Sequence, residues 1–164
     1  MIISSNRLKR LPFNTTLAAR NYGFDNILPS SDAHPGSKLC MAILRGDNLE
    51  VEQLLAQASL IFYQEDPDGW TPLIYSIYYN NPTARKMLFD LNASPVQPDY
   101  ANRTPLMFAA IKNDTKLILE LFQKGADIAA LDYRGKSAID FAVEYHNRES
   151  IELLFQLALN FKRK

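Results

Sequence analysis

The sequence predicts an all-α fold: a solenoid of short helix–turn–helix units stacked side by side. Three observations predict it. The segments "TPLIYSI" from Thr71, "TPLMFAA" from Thr104 and "SAIDFAV" from Ser137 recur at intervals of 33 residues, a period that belongs to repeat architectures. A turn signal precedes each one: "DPDGW", "DYANR" and "DYRGK", beginning at Asp66, Asp99 and Asp132. Nine residues after each anchor stand Asn80, Asn113 and His146, and a second apolar-periodic segment follows, such as "TKLILELFQKGAD" from Thr115 or "ESIELLFQLALNF" from Glu149.

Residues 1–36 come first and do not keep the period. "NTTLAARNYG" from Asn14 echoes the motif, but Ala18 lies 24 residues before Ala42, which does not fit the spacing. The segment reads as a short helix that caps the first unit or as a flexible basic arm, with the cap favoured. "LPSSDAHPGS", Leu28–Ser37, reads as a turn-rich linker. The first unit, about 37–65, carries Leu39, Ala42, Gly46, Val51, Leu54 and Leu55 in register, with one extra residue before Thr71. Units at about 66–98, 99–131 and 132–164 follow one logic. Asp opens a turn, and Gly69, Asn102 and Gly135 occupy a position suited to positive φ. Thr71, Thr104 and Ser137 then read as N-caps, with Pro72 and Pro105 at the first helical position, where the missing N–H costs nothing. Asn80, Asn113 and His146 read as helix stops. Pro82 and "NASPVQP" mark the second unit as a place where the second helix or its loop is expected to be irregular.

This pattern resembles the ankyrin repeat, and the likeness is strongest over Asp99–Ala130, through "TPL", the small pair Ala109-Ala110 and "KGAD". The resemblance implies an ankyrin-repeat solenoid of four repeats over about 37–164 with short hairpin loops. The chain departs from the family where a His often follows "TPL": Ile74, Met107 and Asp140 stand there. One helix pair cannot bury its apolar face alone, so stacking supplies the core. Leu73, Leu106, Ile139, Leu88, Leu121 and Leu154 are expected in the seams between units. Ala109, Ala110, Ala142 and Ser76 are expected where helices approach closely.

Composition excludes several functions. Formal net charge is zero, which argues against a globally basic nucleic-acid surface. Seven basic residues lie at the ends (Arg7, Lys9, Arg10, Arg20 and Lys162-Arg163-Lys164) with no acid among them; solvated termini are the favoured reading. A single cysteine, Cys40, excludes an internal disulfide, and its register favours a buried inert thiol. No secretory leader and no run long enough to span a membrane is visible, so a cytoplasmic setting is expected. His34 and His146 lack partners at metal-ligand spacing. Glu65, Asp66 and Asp68 lack the spacing of a calcium loop and are explained by turn chemistry. No phosphate loop or nucleophile elbow occurs. No metal, cofactor or catalytic residue is expected.

In ankyrin-like arrays the hairpins and the outer ends of the first helices form a concave face. By register that face takes Trp70, Tyr100, Arg103, Tyr133, Arg134 and Lys136 from the hairpins, and Tyr78, Tyr79, Ile111, Lys112 and Tyr145 from the helix ends. Trp, Tyr and Arg dominate binding hot spots, and their rings offer area with a polar handle. These residues are read as a recognition surface; the competing reading is that some rings pack locally. Tyr75 aligns with Phe108 and Phe141 and is read as structural. The last helix spreads Ile151, Leu153, Leu154, Phe155, Leu157, Leu159 and Phe161 around its circumference. It is either buried by the N-terminal segment, which is favoured, or a site of self-association.

The function this resemblance implies is a non-enzymatic module that binds a partner protein. Similar stand-alone arrays occur in eukaryotes, in viruses and among effectors that bacteria deliver into a host cytoplasm; the degenerate repeats here are compatible with the last group. Two other readings stand beside it. One is an electrostatic binder of nucleic acid or anionic membrane through the basic ends. The other is an enzyme with a site around His34.

Overall fold

The computed structural model describes residues 35–57, 65–66 and 68–161, without the side chains of 35–37, 160 and 161. The expectations for the N-terminal segment, His34 and the basic ends lie outside the described residues. Within them the order is α1 (Pro35–Arg45), α2 (Asn48–Gln57), α3 (Pro72–Tyr78), α4 (Pro82–Asp90), α5 (Pro105–Ile111), α6 (Thr115–Gln123), α7 (Ala138–Glu144) and α8 (Arg148–Phe161). All described regular structure is helical. The stretch expected to be a linker through Ser37 is instead already helical from Pro35, because proline suits a first helical position.

Local chemistry sets each boundary. Thr71, Thr104 and Ser137 adopt extended backbone, and each side-chain oxygen accepts from the N–H three residues on. Asp140 closes the last cap in both directions: its Oδ2 accepts from the Ser137 N–H at 2.7 Å and the Ser137 hydroxyl at 2.6 Å. Those bonds hold its carboxyl below the ordinary value. At the far ends Asn80, Asn113 and His146 turn into the left-handed region, with φ of 53°, 55° and 57°. The next residue then folds its N–H back: Asn81 to Ser76, Asp114 to Ala109 and Asn147 to Ala142, at 2.8, 3.1 and 2.9 Å. This is the Schellman closure. Asn81 and Asp114 at once open the next helix, accepting from Ala84 and Leu117. Pro82 therefore sits at the first position of a regular nine-residue helix. The expected irregularity of that helix is absent, because the ring replaces an N–H that had no intrahelical partner.

The helices form two rows. α1, α3, α5 and α7 pack each on the next, and α2, α4, α6 and α8 cover them. Contact between α4 and the following unit includes Arg85 to Asp114 at 3.5 Å and the Lys124 ammonium over the Phe89 ring at 4.7 Å. Leu73, Leu106, Leu88, Leu121, Leu154, Ala109, Ala110, Ala142 and Ser76 are buried as the register requires; Ile139 is only partly buried. Each leucine burial is worth about 1.5–3 kcal/mol. Cys40 is buried in the same core, and desolvation pushes its thiol well above the usual range.

Side chains and backbone tie the units together, with Ile74, Met107 and Asp140 where no histidine stands. The Asn81 amide donates to the Ile43 carbonyl at 3.2 Å. The Asn147 amide donates to the carbonyls of Ala110 and Ile111 at 2.8 and 2.7 Å. Asn113 accepts from the Ser150 N–H and hydroxyl and donates to Glu149. The hairpins join directly, through Tyr100 N–H to Asp68 O at 3.2 Å and Tyr133 N–H to Ala101 O at 3.0 Å.

Candidate interaction surface

The hairpins are built on three aspartates. Oδ1 of Asp66 accepts from the N–H groups of Asp68 and Trp70 at 2.9 and 2.8 Å. Asp99 does the same for Ala101 and Arg103, and Asp132 for Arg134 and Lys136. This cage holds Gly69, Asn102 and Gly135 at positive φ. The second carboxylate oxygen differs between turns. Oδ2 of Asp66 accepts from the Tyr75 hydroxyl at 2.8 Å. That of Asp99 accepts from Arg103 Nε at 2.7 Å. Burial pushes both carboxyls up, against the hydrogen bonds and, for Asp99, against the Arg103 charge. Tyr75 and Tyr79 are raised by burial and by the Asp66 carboxylate.

Each side chain of the expected strip then finds its place. Trp70 does not belong to the exposed surface: it is 1% exposed. Its indole meets Tyr75, Tyr78 and Phe108 edge-on, at centroid distances of 5.5, 5.2 and 5.1 Å. The Arg103 guanidinium lies 5.7 Å from its ring and 5.1 Å from that of Phe108. The next unit therefore covers Trp70, and its Nε1 has no hydrogen-bond partner among the described residues. Ile111 is also buried, so it too leaves the strip. Tyr75 is fully buried. Tyr78 and Tyr79 are partly buried: Tyr79 stacks on Tyr75 at 5.7 Å, and Tyr78 meets Tyr79 at 5.2 Å. The Lys112 ammonium sits over the Tyr78 ring at 4.2 Å.

The outward group is Tyr100, Tyr133 and Tyr145, exposed to 55%, 40% and 38%. Arg134 and Lys112 are exposed beside them. Arg134 Nε donates to the Tyr133 hydroxyl at 2.7 Å, and its guanidinium lies 5.3 Å from that ring. Lys136 Nζ pairs with Glu144 at 2.7 Å and links hairpin to helix end. Leu131, half exposed just before Asp132, receives the Asn102 amide on its carbonyl at 2.6 Å and joins this region. Sequence reading omitted it; the signal was an apolar residue outside the seam register. Among the described residues no group of three or more His, Cys, Asp or Glu could hold a metal ion. No described helix is long and apolar enough to cross a membrane.

Comparison with known proteins places part of this geometry. Residues 106–155, from α5 into α8, match the family model described as "Ankyrin repeats (many copies)". No curated protein matches the chain.

Proposed function

We propose that this chain, an ankyrin-repeat protein and so a carrier of a protein-interaction module, holds a partner protein across its hairpin tips and first-helix ends and performs no chemistry of its own. Tyr100, Tyr133 and Tyr145 make the contact, with Arg134, Lys112 and Lys136 among them; Arg103, paired with Asp99, packs over Trp70 beneath. Tyr78 and Tyr79 form the floor, and Trp70 supports it from below. One observation carries this reading: three tyrosines remain substantially exposed on a backbone already joined hairpin to hairpin. Large rings with few rotatable bonds on a preordered scaffold bind with little ordering entropy.

The test is affinity capture with the wild type and with a Tyr100→Ala/Tyr133→Ala/Tyr145→Ala variant, followed by titration of the captured protein. The expected result is a loss of at least about tenfold in affinity, the size of one or two hot-spot residues, with the denaturation midpoint unchanged. Equal affinity for both proteins overturns the reading.

A further inference from the structure

The last helix, expected to be covered by the N-terminal segment, keeps Phe155 and Leu159 exposed to 51% and 63%. The seams inside the array differ from one another, and the period makes them comparable residue by residue. Between the third and fourth units, the Asn147 amide donates to the carbonyls of Ala110 and Ile111 at the end of α5. Asn113 accepts from the Ser150 N–H and hydroxyl across the same seam. Between the first and second units, the Asn81 amide donates to the Ile43 carbonyl at the end of α1. Between the second and third units the chemistry for both contacts is missing. Asp114 stands at the place of Asn81 and Asn147, and a carboxylate accepts hydrogen bonds but has none to donate to the carbonyls of α3. Leu117 stands at the place of Ser150; it has no hydroxyl, and its N–H goes to Asp114 of its own unit. The second helices are joined there by Arg85 to Asp114 at 3.5 Å and by Lys124 over the Phe89 ring at 4.7 Å. Accordingly α4 and α6 approach less closely than α2 and α4 or α6 and α8. The hairpin side of the same seam is tight. Trp70, 1% exposed, meets Phe108 at 5.1 Å, and the Tyr100 N–H donates to the Asp68 carbonyl at 3.2 Å.

We propose that this middle seam is a hinge. The third and fourth units turn as one body against the first two, pivoting on the Trp70–Phe108 contact and parting α4 from α6. A hinge needs one side that holds and one that yields. The buried rings hold, because separating them returns apolar surface to water. The partly exposed Arg85–Asp114 pair yields, because water replaces such an ion pair at little cost. Tyr78 and Tyr79 belong to one body, and Tyr100, Tyr133 and Tyr145 to the other, so the motion changes the spacing along the strip. That consequence rests on the partner-binding reading of the strip; the hinge does not.

Distance distributions between paired spin labels, measured by double electron–electron resonance, test this. Lys86, Leu119 and Glu152 are exposed and hold the same register on α4, α6 and α8. In a Cys40→Ala background with unchanged helical circular dichroism, Lys86→Cys/Leu119→Cys spans the hinge and Leu119→Cys/Glu152→Cys spans the next seam. The distribution across the hinge is expected to be about twice as wide as the other, or more. Adding Asp114→Asn keeps the acceptor for the Leu117 N–H and supplies an amide donor toward α3. It is expected to narrow the hinge distribution to the width seen across the next seam. Equal widths in the absence of Asp114→Asn overturn the proposal, as does a wide distribution that Asp114→Asn leaves unchanged. A wide hinge distribution in a chain that captures no partner removes the strip reading alone.

Discussion

The hairpins that begin at Asp66 and at Asp132 share one backbone device and treat the same side-chain position in opposite ways. In both, a carboxylate oxygen caps two N–H groups and a glycine takes positive φ. Four residues after the first Asp, Trp70 is enclosed by rings of its own unit and by Arg103 and Phe108 of the next. Four residues after the other, Lys136 lies over Phe141 of its own unit and reaches Glu144. Arg103, at the same place in the middle turn, is paired with Asp99 and also lies over Trp70. The difference teaches that a residue's place along the array decides whether its side chain is core or surface. A following unit must exist to cover it.

The largest test of that contrast is Trp70→Ala against Lys136→Ala. Removing the indole leaves a cavity between two units and should cost about 3–5 kcal/mol in urea unfolding. Removing the lysine, whose ion pair is solvent-exposed, should change stability by about 0.5 kcal/mol or less. Similar losses would break the comparison. Glycine substitutions sharpen it. At Gly69 an added Cβ would stand 2.6 Å from the Tyr100 backbone nitrogen, whereas at Gly135 it would meet nothing within 4 Å. With both at positive φ, Gly135→Ala should cost about 1–2 kcal/mol from backbone conformation alone, and Gly69→Ala more, by about 1–3 kcal/mol for the clash. Thermal unfolding of the two variants measures the difference.

Asp66 distinguishes the turns by pH. Its folded value is raised, chiefly by burial, and no cation among the described residues offsets it; the described groups that face it are Cys40 of α1, Tyr75 of α3, Tyr79 at the end of that helix, and Asp68 of its own turn. A carboxyl raised on folding contributes stability that is fully present below its unfolded value of about 3.9. That contribution is lost as pH rises through the folded value. Asp66→Asn keeps an acceptor for both N–H groups and removes this dependence. Unfolding free energies measured from acid to neutral pH should therefore show the wild type losing ground to the variant as pH rises. A constant difference would show that the buried carboxyl is not titrating there. The smallest effect on stability is expected at the tips. Tyr100→Ala and Tyr133→Ala should each shift it by about 0.5 kcal/mol or less, although both are placed in the partner contact.

Much of this molecule was legible before any coordinates. Thr71, Thr104 and Ser137 cap, and Asn80, Asn113 and His146 stop, because those acts need only the residue and its near neighbours along the chain. Leu88, Leu121 and Leu154 were legible because a period repeated three times averages out local ambiguity. The candidate surface was legible only in part. Tyr100, Tyr133 and Tyr145 are exposed, but Trp70 and Ile111 are buried, and Leu131 was not singled out. Trp70 misled because large aromatic residues suit an exposed hot spot and a covered seam equally well.

The sequence by itself determined the helices, the turns between them, the period and so the seam, because these follow from bonds and sterics within a few residues and from their repetition. The tertiary structure decided which aromatics remain outside and which are covered. That outcome depends on how much of each side chain the next unit covers, and residues 33 apart exert that effect only after the stack has formed.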